Sequence, residues 1–575
     1  MPESVFLAGD PDWWRNAVVY QVYPRSFADS NGDGLGDIRG VTSRVDYLAN
    51  LGVDAVWLSP FYPSPLADGG YDVSDYRDVD PRLGTLDDVD RMIAACHEQG
   101  IRVFVDIVPN HSSDQHAWFR AALLSPPGSP ERARYIFREG RGESGEIPPN
   151  NWASHFGPTG WTRTTNPDGT PGEWYLHLFA PEQPDFNWDN PEVVEDFQKT
   201  IRFWSDRGVD GFRIDVAHAL TKDMSEPYPS YPTGASYELE SIPSDGSHHL
   251  FDRDETIEIY RGWRQIFNSY DPPRVAVAEA GVPIDRLNRY ASSETLGQSF
   301  NFALFNTPWS AQEYQSIIAS SLSQATAHGS SSTWALSNHD VVRHATRFGL
   351  PEGTDLNQWL LTDGTKPELN RELGVGRARA VTMMLLALPG STYLYQGEEL
   401  GLFEVADLPA QALQDPIWER SEHVRKGRDG CRVPLAWKSD GSSFGFGSDC
   451  SHLPQPAWFG ALSVASQDGV AGSTLEMYRD ALRLRKSLNH SEHLAWVDSS
   501  RDVLHFSRAD GWHNLTNFGS EAVAMPAGDV ILSSSPLAGK ELPANTTVWI
   551  RVRRQASAKD RVRLPSEDCS PRASK

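Results

Sequence analysis

The feature that most constrains this chain is a rhythm. Short β-branched and aromatic runs alternate with longer amphipathic stretches along most of its 575 residues. Strand signals fall at Val18–Phe27, Asp54–Pro60, Arg102–Val108, Asp210–Asp215, Arg274–Ala280, Ser299–Leu304, Thr333–Ser337 and Ser391–Tyr395. Helical patterns lie between most of them, as at Asp87–Gln99 and Pro191–Arg207. The first of these carries Val89, Met92, Ile93 and Cys96 at helical spacing and stops at Gly100. Strands alternating with helices in this way predict an α/β fold, a closed parallel (β/α)8 TIM barrel.

The rhythm breaks at defined places. Residues 111–188 are rich in Pro, Gly and Asn and are too long for a loop, which predicts a small inserted domain after the third strand. The barrel is expected over 10–110 and again over 189–486, with an irregular segment at about 397–459. A Pro- and Ser-rich stretch from about Met224 to His249 reads as a long loop over the barrel mouth. Residues 487–555 turn to short alternating runs (Val503–Ser507, Trp512–Asn517, Thr547–Val552), the pattern of an antiparallel β domain. The last residues, 556–575, are polar and charged and are expected to be disordered.

Composition excludes several partners. The formal net charge of −25 argues against nucleic acid or an anionic membrane. No apolar run is long enough to span a bilayer; Val381 to Leu388 comes nearest. The start has no signal-peptide pattern, and the four cysteines (Cys96, Cys431, Cys450, Cys569) form no metal spacing. These features predict a soluble cytoplasmic protein. Oligomeric state does not follow from them.

In a parallel barrel the strand ends build the active site. The third strand ends in Asp106-Ile-Val-Pro-Asn110-His111, the fourth in Gly211-Phe-Arg213-Ile-Asp215, the fifth in Glu279, and the seventh in Asn338-His339-Asp340. That brings three carboxylates, an arginine and two histidines to one face. Two carboxylates across a bond can cleave a glycoside, one ionised and nucleophilic, the other protonated. Arg213 and Asp215 are two apart, so they share a strand face, and the guanidinium would favour an ionised Asp215. Glu279 follows Val275-Ala-Val-Ala278, apolar surroundings that suit a general acid.

At these residues the chain resembles the α-amylase superfamily, glycoside hydrolase family thirteen, in its α-glucosidase and oligo-1,6-glucosidase branch. The blocks are DIVPNH, GFRIDVAHA, AVAEA and SNHD, supported by VYQVYPRSFADSNGDGLGD, GVDAVWLSPFYPSP, GGYDVSDY and QPDFNW. The resemblance runs from Trp14 to about Val552. It implies a retaining exo-acting α-glucosidase on small α-glucosides such as maltose. Asp215 would be the nucleophile, Glu279 the acid and base, and Asp340 the third carboxylate, on the sugar 2- and 3-hydroxyls. Arg213 would orient Asp215, His111 and His339 would bond sugar hydroxyls, and Tyr71 would stack on the glucose. Asp72 and Arg428 would hold the 4-hydroxyl of the terminal glucose. The late block departs from the usual wording at Val433, Leu435 and Ala436 but keeps Arg428 and Arg432.

Val216 after the nucleophile and QPDFNW lean toward α-1,6 links, whereas GFRIDVAHA resembles α-1,4-acting relatives, so linkage stays open. A glucosyl transferase or isomerase would share every one of these residues. A non-catalytic sugar-binding relative would tend to lose the acids and gain a membrane helix. His218, His248 and His249 could line the acceptor side.

The run Asp29-Ser-Asn31-Gly-Asp33-Gly-Leu35-Gly-Asp37 spaces oxygens for a hard cation, with the Leu35 carbonyl included. Gly40 stands where a complete EF-hand loop has Glu. The branch it resembles carries Ca²⁺ or Mg²⁺ here, as a structural ion, and no organic cofactor is implied.

Overall fold

The computed structural model describes residues 10–232, 242–488 and 491–552. The expected tail at 556–575 lies outside them. Eight strands form one parallel sheet: β1 (Val18–Val22), β2 (Ala55–Leu58), β3 (Arg102–Ile107), then β7 (Gly211–Ile214), β8 (Val275–Ala278), β9 (Gly297–Ser299), β10 (Thr333–Ala335) and β11 (Ser391–Tyr395). Hydrogen bonds run in the order β10-β11-β1-β2-β3-β7-β8-β9, curling the sheet into a (β/α)8 barrel. At the seam between β9 and β10, the Thr333 hydroxyl donates to the Ser299 carbonyl.

Period-two sorting explains the core. Val18, Tyr20, Val22, Val56, Leu58, Val103, Val105, Phe212, Ile214, Ala276 and Ala278 pack outward in the large core that the surrounding helices cover. Val19, Ala55, Trp57, Phe104, Val275, Val277 and Tyr393 pack inward as a separate barrel-lumen cluster. Gly211 is required here. A Cβ on it would lie 2.5 Å from the Phe104 ring that fills the lumen. The inward parity that places Phe104, Gly211 and Val277 in the lumen also points Asp106, Arg213, Asp215 and Glu279 inward at the C-terminal ends.

Helix starts follow the sequence signals. Thr85 and Asp88 form a capping box at Leu86–Glu98. Asn190 caps Pro191–Asp206, with Pro at its first turn.

The insertion holds helix Ala117–Leu124 and a three-stranded antiparallel sheet of β4 (Phe137–Arg138), β5 (Trp161–Thr165) and β6 (Pro171–Leu176). A buried ion pair between Lys222 and Asp185, at 3.0 Å, ties this insertion to the loop after β7. The C-terminal sheet joins Ala495–Trp496, Val503–Ser507, Trp512–Asn517, Thr546–Val552 and Gly528–Ser533, antiparallel throughout.

Two strand expectations are corrected. The first strand stops at Val22, and a 3-10 turn at Pro24–Ser26 replaces its end, because Pro24 has no amide hydrogen for the ladder. The sixth is Gly297–Ser299 rather than Ser299–Leu304. There the aromatic run Phe302–Phe305 forms a 3-10 turn that Asn301 starts by accepting from the Ala303 amide.

Candidate active site

A cavity of about 540 Å³ opens at the C-terminal ends of the strands. Its lining includes Asp68, Tyr71, His111, Asp215, Val216, Glu279, Asp340 and Arg428. All three expected catalytic carboxylates therefore meet in one space.

Arg213 organises one wall. Its Nη1 donates to Asp215 Oδ1 at 2.6 Å and to Asp106 Oδ1 at 2.9 Å, and its Nη2 lies 2.7 Å from Glu279 Oε2. The register of β3 on β7 puts Asp106 directly beside Arg213. Asp215 and Glu279 thus sit on neighbouring arms of one planar group, a close approach that suits a retaining pair. Three carboxylates share this single guanidinium. Burial pushes Asp215 well above the ordinary carboxylate range and Asp106 up to about 7, while Arg213 pulls both back. Arg213 favours an ionised Asp215, as the sequence predicts, but burial and the neighbouring Glu279 and Asp106 oppose it.

Val216 follows the nucleophile position with φ at 41°, a left-handed conformation unusual for a β-branched residue. That turn aims the Val216 amide at Glu279 Oε2, 3.0 Å away, and leaves the valyl side chain on the cavity wall.

The opposite wall is built on Asp340. Its Oδ1 accepts from Arg428 Nη1 at 3.0 Å and Arg432 Nη2 at 2.8 Å, and His339 Nε2 lies 3.3 Å from its Oδ2. Burial raises the Asp340 carboxyl, but the His339 ring and the two guanidinia outweigh it and hold it well below the usual range. Burial lowers His111 and His339 to about 3 each, so both rings are neutral donors or acceptors. Tyr71 stacks on His339 with centroids 5.2 Å apart and donates its hydroxyl to Asp106 Oδ2.

Asp72 is a correction. It does not face Arg428. It is fully buried and accepts from the Ser64 hydroxyl and the Ala67 and Asp68 amides. Burial lifts its carboxyl to about 6. The carboxylate of this loop that meets Arg428 is Asp68, at 2.7 Å, three residues before Tyr71. Asp72 folds the loop that presents Asp68.

Other partners come from distant loops. Asp415 holds Arg428 Nε at 2.6 Å, and Gln183 bridges Asp68 and His111. Among the expected acceptor-side histidines, His218 lines the cavity, whereas His248 stacks on Tyr231 away from it.

The 29–37 loop is drawn inward by its own amides. Asp29 accepts from Asn31, Gly32 and Gly34, and Asp33 accepts from Leu35. Asp37 caps Ile38–Thr42 and accepts from the Ser30 amide and hydroxyl. Among the described residues, no three His, Cys, Asp or Glu side chains are grouped to hold a metal ion.

Comparison with known proteins agrees with this geometry. The model of the alpha-amylase catalytic domain matches residues 21–493. A probable alpha-glucosidase of Rhizobium meliloti (strain 1021) is 36% identical over 523 residues, covering 88% of this chain and 89% of that protein. An oligo-1,6-glucosidase of Parageobacillus thermoglucosidasius is 33% identical over 504 residues, covering 82% and 84%. The crystal structure of an alpha-glucosyl transfer enzyme, XgtA, superposes with a TM-score of 0.79 at 34% identity, covering 94% of this chain and 99% of that one. With a family model spanning most of its length and the strand-end carboxylates gathered in one cavity, this chain belongs to the alpha-amylase family of glycoside hydrolases.

Proposed function

We propose that this protein is a retaining, exo-acting α-glucosidase that releases α-glucose from the non-reducing end of short α-glucosides. The observation that carries the reading is the pairing of two carboxylates, Asp215 and Glu279, on the single Arg213 guanidinium inside the cavity. Asp215 attacks the anomeric carbon while Glu279 gives a proton to the leaving oxygen. The glucosyl–Asp215 ester is then hydrolysed by water that Glu279 deprotonates. Asp340, His339 and His111 orient the sugar hydroxyls, and Tyr71 supplies an aromatic face. Arg428 with Asp68 holds the 4-hydroxyl side and selects for a chain end.

One observation favours a second reading, glucosyl transfer. Phe156, Phe179, Val282, Ile284, Phe302 and Ala303 give much of the remaining lining an apolar face that holds water poorly, interrupted by His155, His218, Asn301 and Asn306. The similarity to XgtA, described as an alpha-glucosyl transfer enzyme, points the same way.

Incubation with maltose, isomaltose, sucrose and trehalose separately, with the first released anomer followed by NMR, tests both. Initial α-glucose supports the hydrolase, and new glucosides in place of glucose support transfer. Initial β-glucose overturns the retaining mechanism. The preferred disaccharide assigns the linkage that Val216 leaves open.

A structural cation at the 29–37 loop remains part of the proposal on the spacing of Asp29, Asn31, Asp33, the Leu35 carbonyl and Asp37. A cytoplasmic location is proposed from the three described cysteines, all free. No helix among the described residues is long and apolar enough to cross a membrane.

A further inference from the structure

A second cavity, of about 320 Å³, lies behind the wall that carries Asp340. Tyr23, Arg25, Gly69, Gln414, Arg432 and His452 are among its lining residues. Arg25 is the unusual member. Only 7% of it is exposed, yet no carboxylate pairs with it among the described residues. Its Nη2 donates to Gln414 Oε1 at 2.8 Å, its Nη1 has only the Tyr23 hydroxyl at 3.5 Å, and its Nε finds no acceptor. An arginine does not neutralise itself by losing its proton, and a buried charge without a counter-charge is unfavourable.

Arg432 completes the geometry. Its Nε donates to the His339 carbonyl and its Nη2 to Asp340. Its Nη1 lies beside Gly69, at the same cavity. A Cβ built on Gly69 would lie 3.2 Å from Arg432 Nη1 and 4.0 Å from Arg25 Nη1, so the two nitrogens are no more than about 7 Å apart. Across that span an oxyanion can present one oxygen to each nitrogen, and a single-atom anion reaches both where they stand within about 6 Å. Because residue 69 is glycine with φ at +59°, no side chain fills the gap. Asp429 also lines this cavity, but its Oδ2 is taken up by the Gln414 and Asp415 amides. His452 bonds the Ser26 hydroxyl, and burial holds its ring well below its ordinary pKa, so it stays neutral.

We propose that this cavity is a binding site for a small inorganic anion held between Arg25 and Arg432. The anion supplies the counter-charge that Arg25 lacks. It also fixes Arg432 from behind, and through Arg432 it positions Asp340 and His339 in the active-site wall. Arg25 is thus a positioning residue and does not touch the sugar. The site stands on its own geometry and does not depend on which glucoside is turned over.

The test begins with crystals of the whole protein soaked in bromide, read by anomalous scattering. The expected result is a bromide peak within hydrogen-bond reach of Arg25 and Arg432. In solution, the midpoint of thermal unfolding is followed while chloride, then phosphate, replaces a large organic anion at constant ionic strength. A saturable rise is expected with one of them, and which one identifies a halide or an oxyanion site. The same anion should lower KM several-fold with kcat nearly unchanged. Arg25→Gln should abolish both responses, with Arg25→Lys restoring them in part. Water-only density at Arg25, together with no saturable anion response in the wild-type protein, overturns the proposal. So does a response that survives intact in Arg25→Gln. If that variant fails to fold, the wild-type soak and titration still decide the matter.

Discussion

Asp68 and Asp72 stand four residues apart in one loop, and the structure gives them opposite duties. Asp68 lines the cavity, pairs with Arg428 at 2.7 Å and accepts from Gln183. Asp72 faces backbone amides and a serine hydroxyl. Asp68→Asn keeps the volume but removes the charge from its contact with substrate. A charge-assisted hydrogen bond contributes about 1.5–3 kcal/mol. At about 1.4 kcal/mol per decade, kcat/KM should fall about 10- to 150-fold. Arg428 keeps Asp340 and Asp415, so the fold should hold. Asp72→Asn should instead keep kcat/KM within about fivefold, because this side chain stays outside the cavity and one amide oxygen still accepts from the Ser64 hydroxyl and the Asp68 amide.

The two variants also separate by pH. Asp72 has its folded pKa raised to about 6 from 3.8. The folded state then binds the extra proton, so the contribution of Asp72 to stability is present at low pH and is lost as pH rises from 3.8 through 6. Between pH 5 and pH 7 the wild type should lose about 1 kcal/mol from this group alone. Asp72→Asn lacks that loss, so its stability relative to wild type should improve by the same amount over that interval. Kinetics on maltose and isomaltose, with denaturant unfolding at both pH values, measure all of this. A larger activity loss in Asp72→Asn than in Asp68→Asn, with folding intact, would refute the assignment.

Three further outcomes are expected. Glu279→Gln should lose about 10²- to 10⁴-fold in kcat on glucosides with poor leaving groups, and much less on an activated aryl glucoside, as steady-state kinetics would register. Gly211→Ala places a Cβ 2.5 Å from the Phe104 ring, and the overpacked lumen should cost about 1–3 kcal/mol, seen as a lower unfolding midpoint with the midpoint of Leu→Ala variants in the C-terminal sheet as reference. Chelator treatment should lower the unfolding midpoint, with Ca²⁺ or Mg²⁺ restoring it. An unchanged midpoint and no metal by elemental analysis would remove the cation from the 29–37 loop.

What the sequence made legible was what depends on parity. Strand residues two apart share a face, so Arg213 and Asp215 could be paired on paper, and the inward set could be told from the outward one. Asp106 was within reach of the same reasoning. It is two residues from Phe104 on β3, and the register that sets Phe104 opposite Gly211 sets Asp106 opposite Arg213. Parity fails once the chain leaves the sheet. In the 64–72 loop, direction is set by which amides a carboxylate captures, and Asp72 captures two. Adjacency to Tyr71 therefore misleads, and Asp68, three residues earlier, reaches the site. Asp415 and Gln183 carried no local signal, because their roles exist only where distant loops meet Arg428 and His111.

The same distinction explains why the site needs its outer ring. Arg213 is held by a strand and by the acids beside it. Arg428 and Arg432 come from an irregular segment, where no ladder fixes them. They flank the 3-10 turn Asp429–Cys431, and their guanidinia are placed by Asp415 and Asp68 on Arg428 and by the His339 carbonyl and Asp340 on Arg432. Asp340 in turn depends on both guanidinia for its charge. A wall built from mutual ion pairs is accurate only while every charge in it is matched. Arg25, next to Arg432 and without an acid, is where that matching is incomplete in the protein alone, and an anion is the smallest addition that completes it.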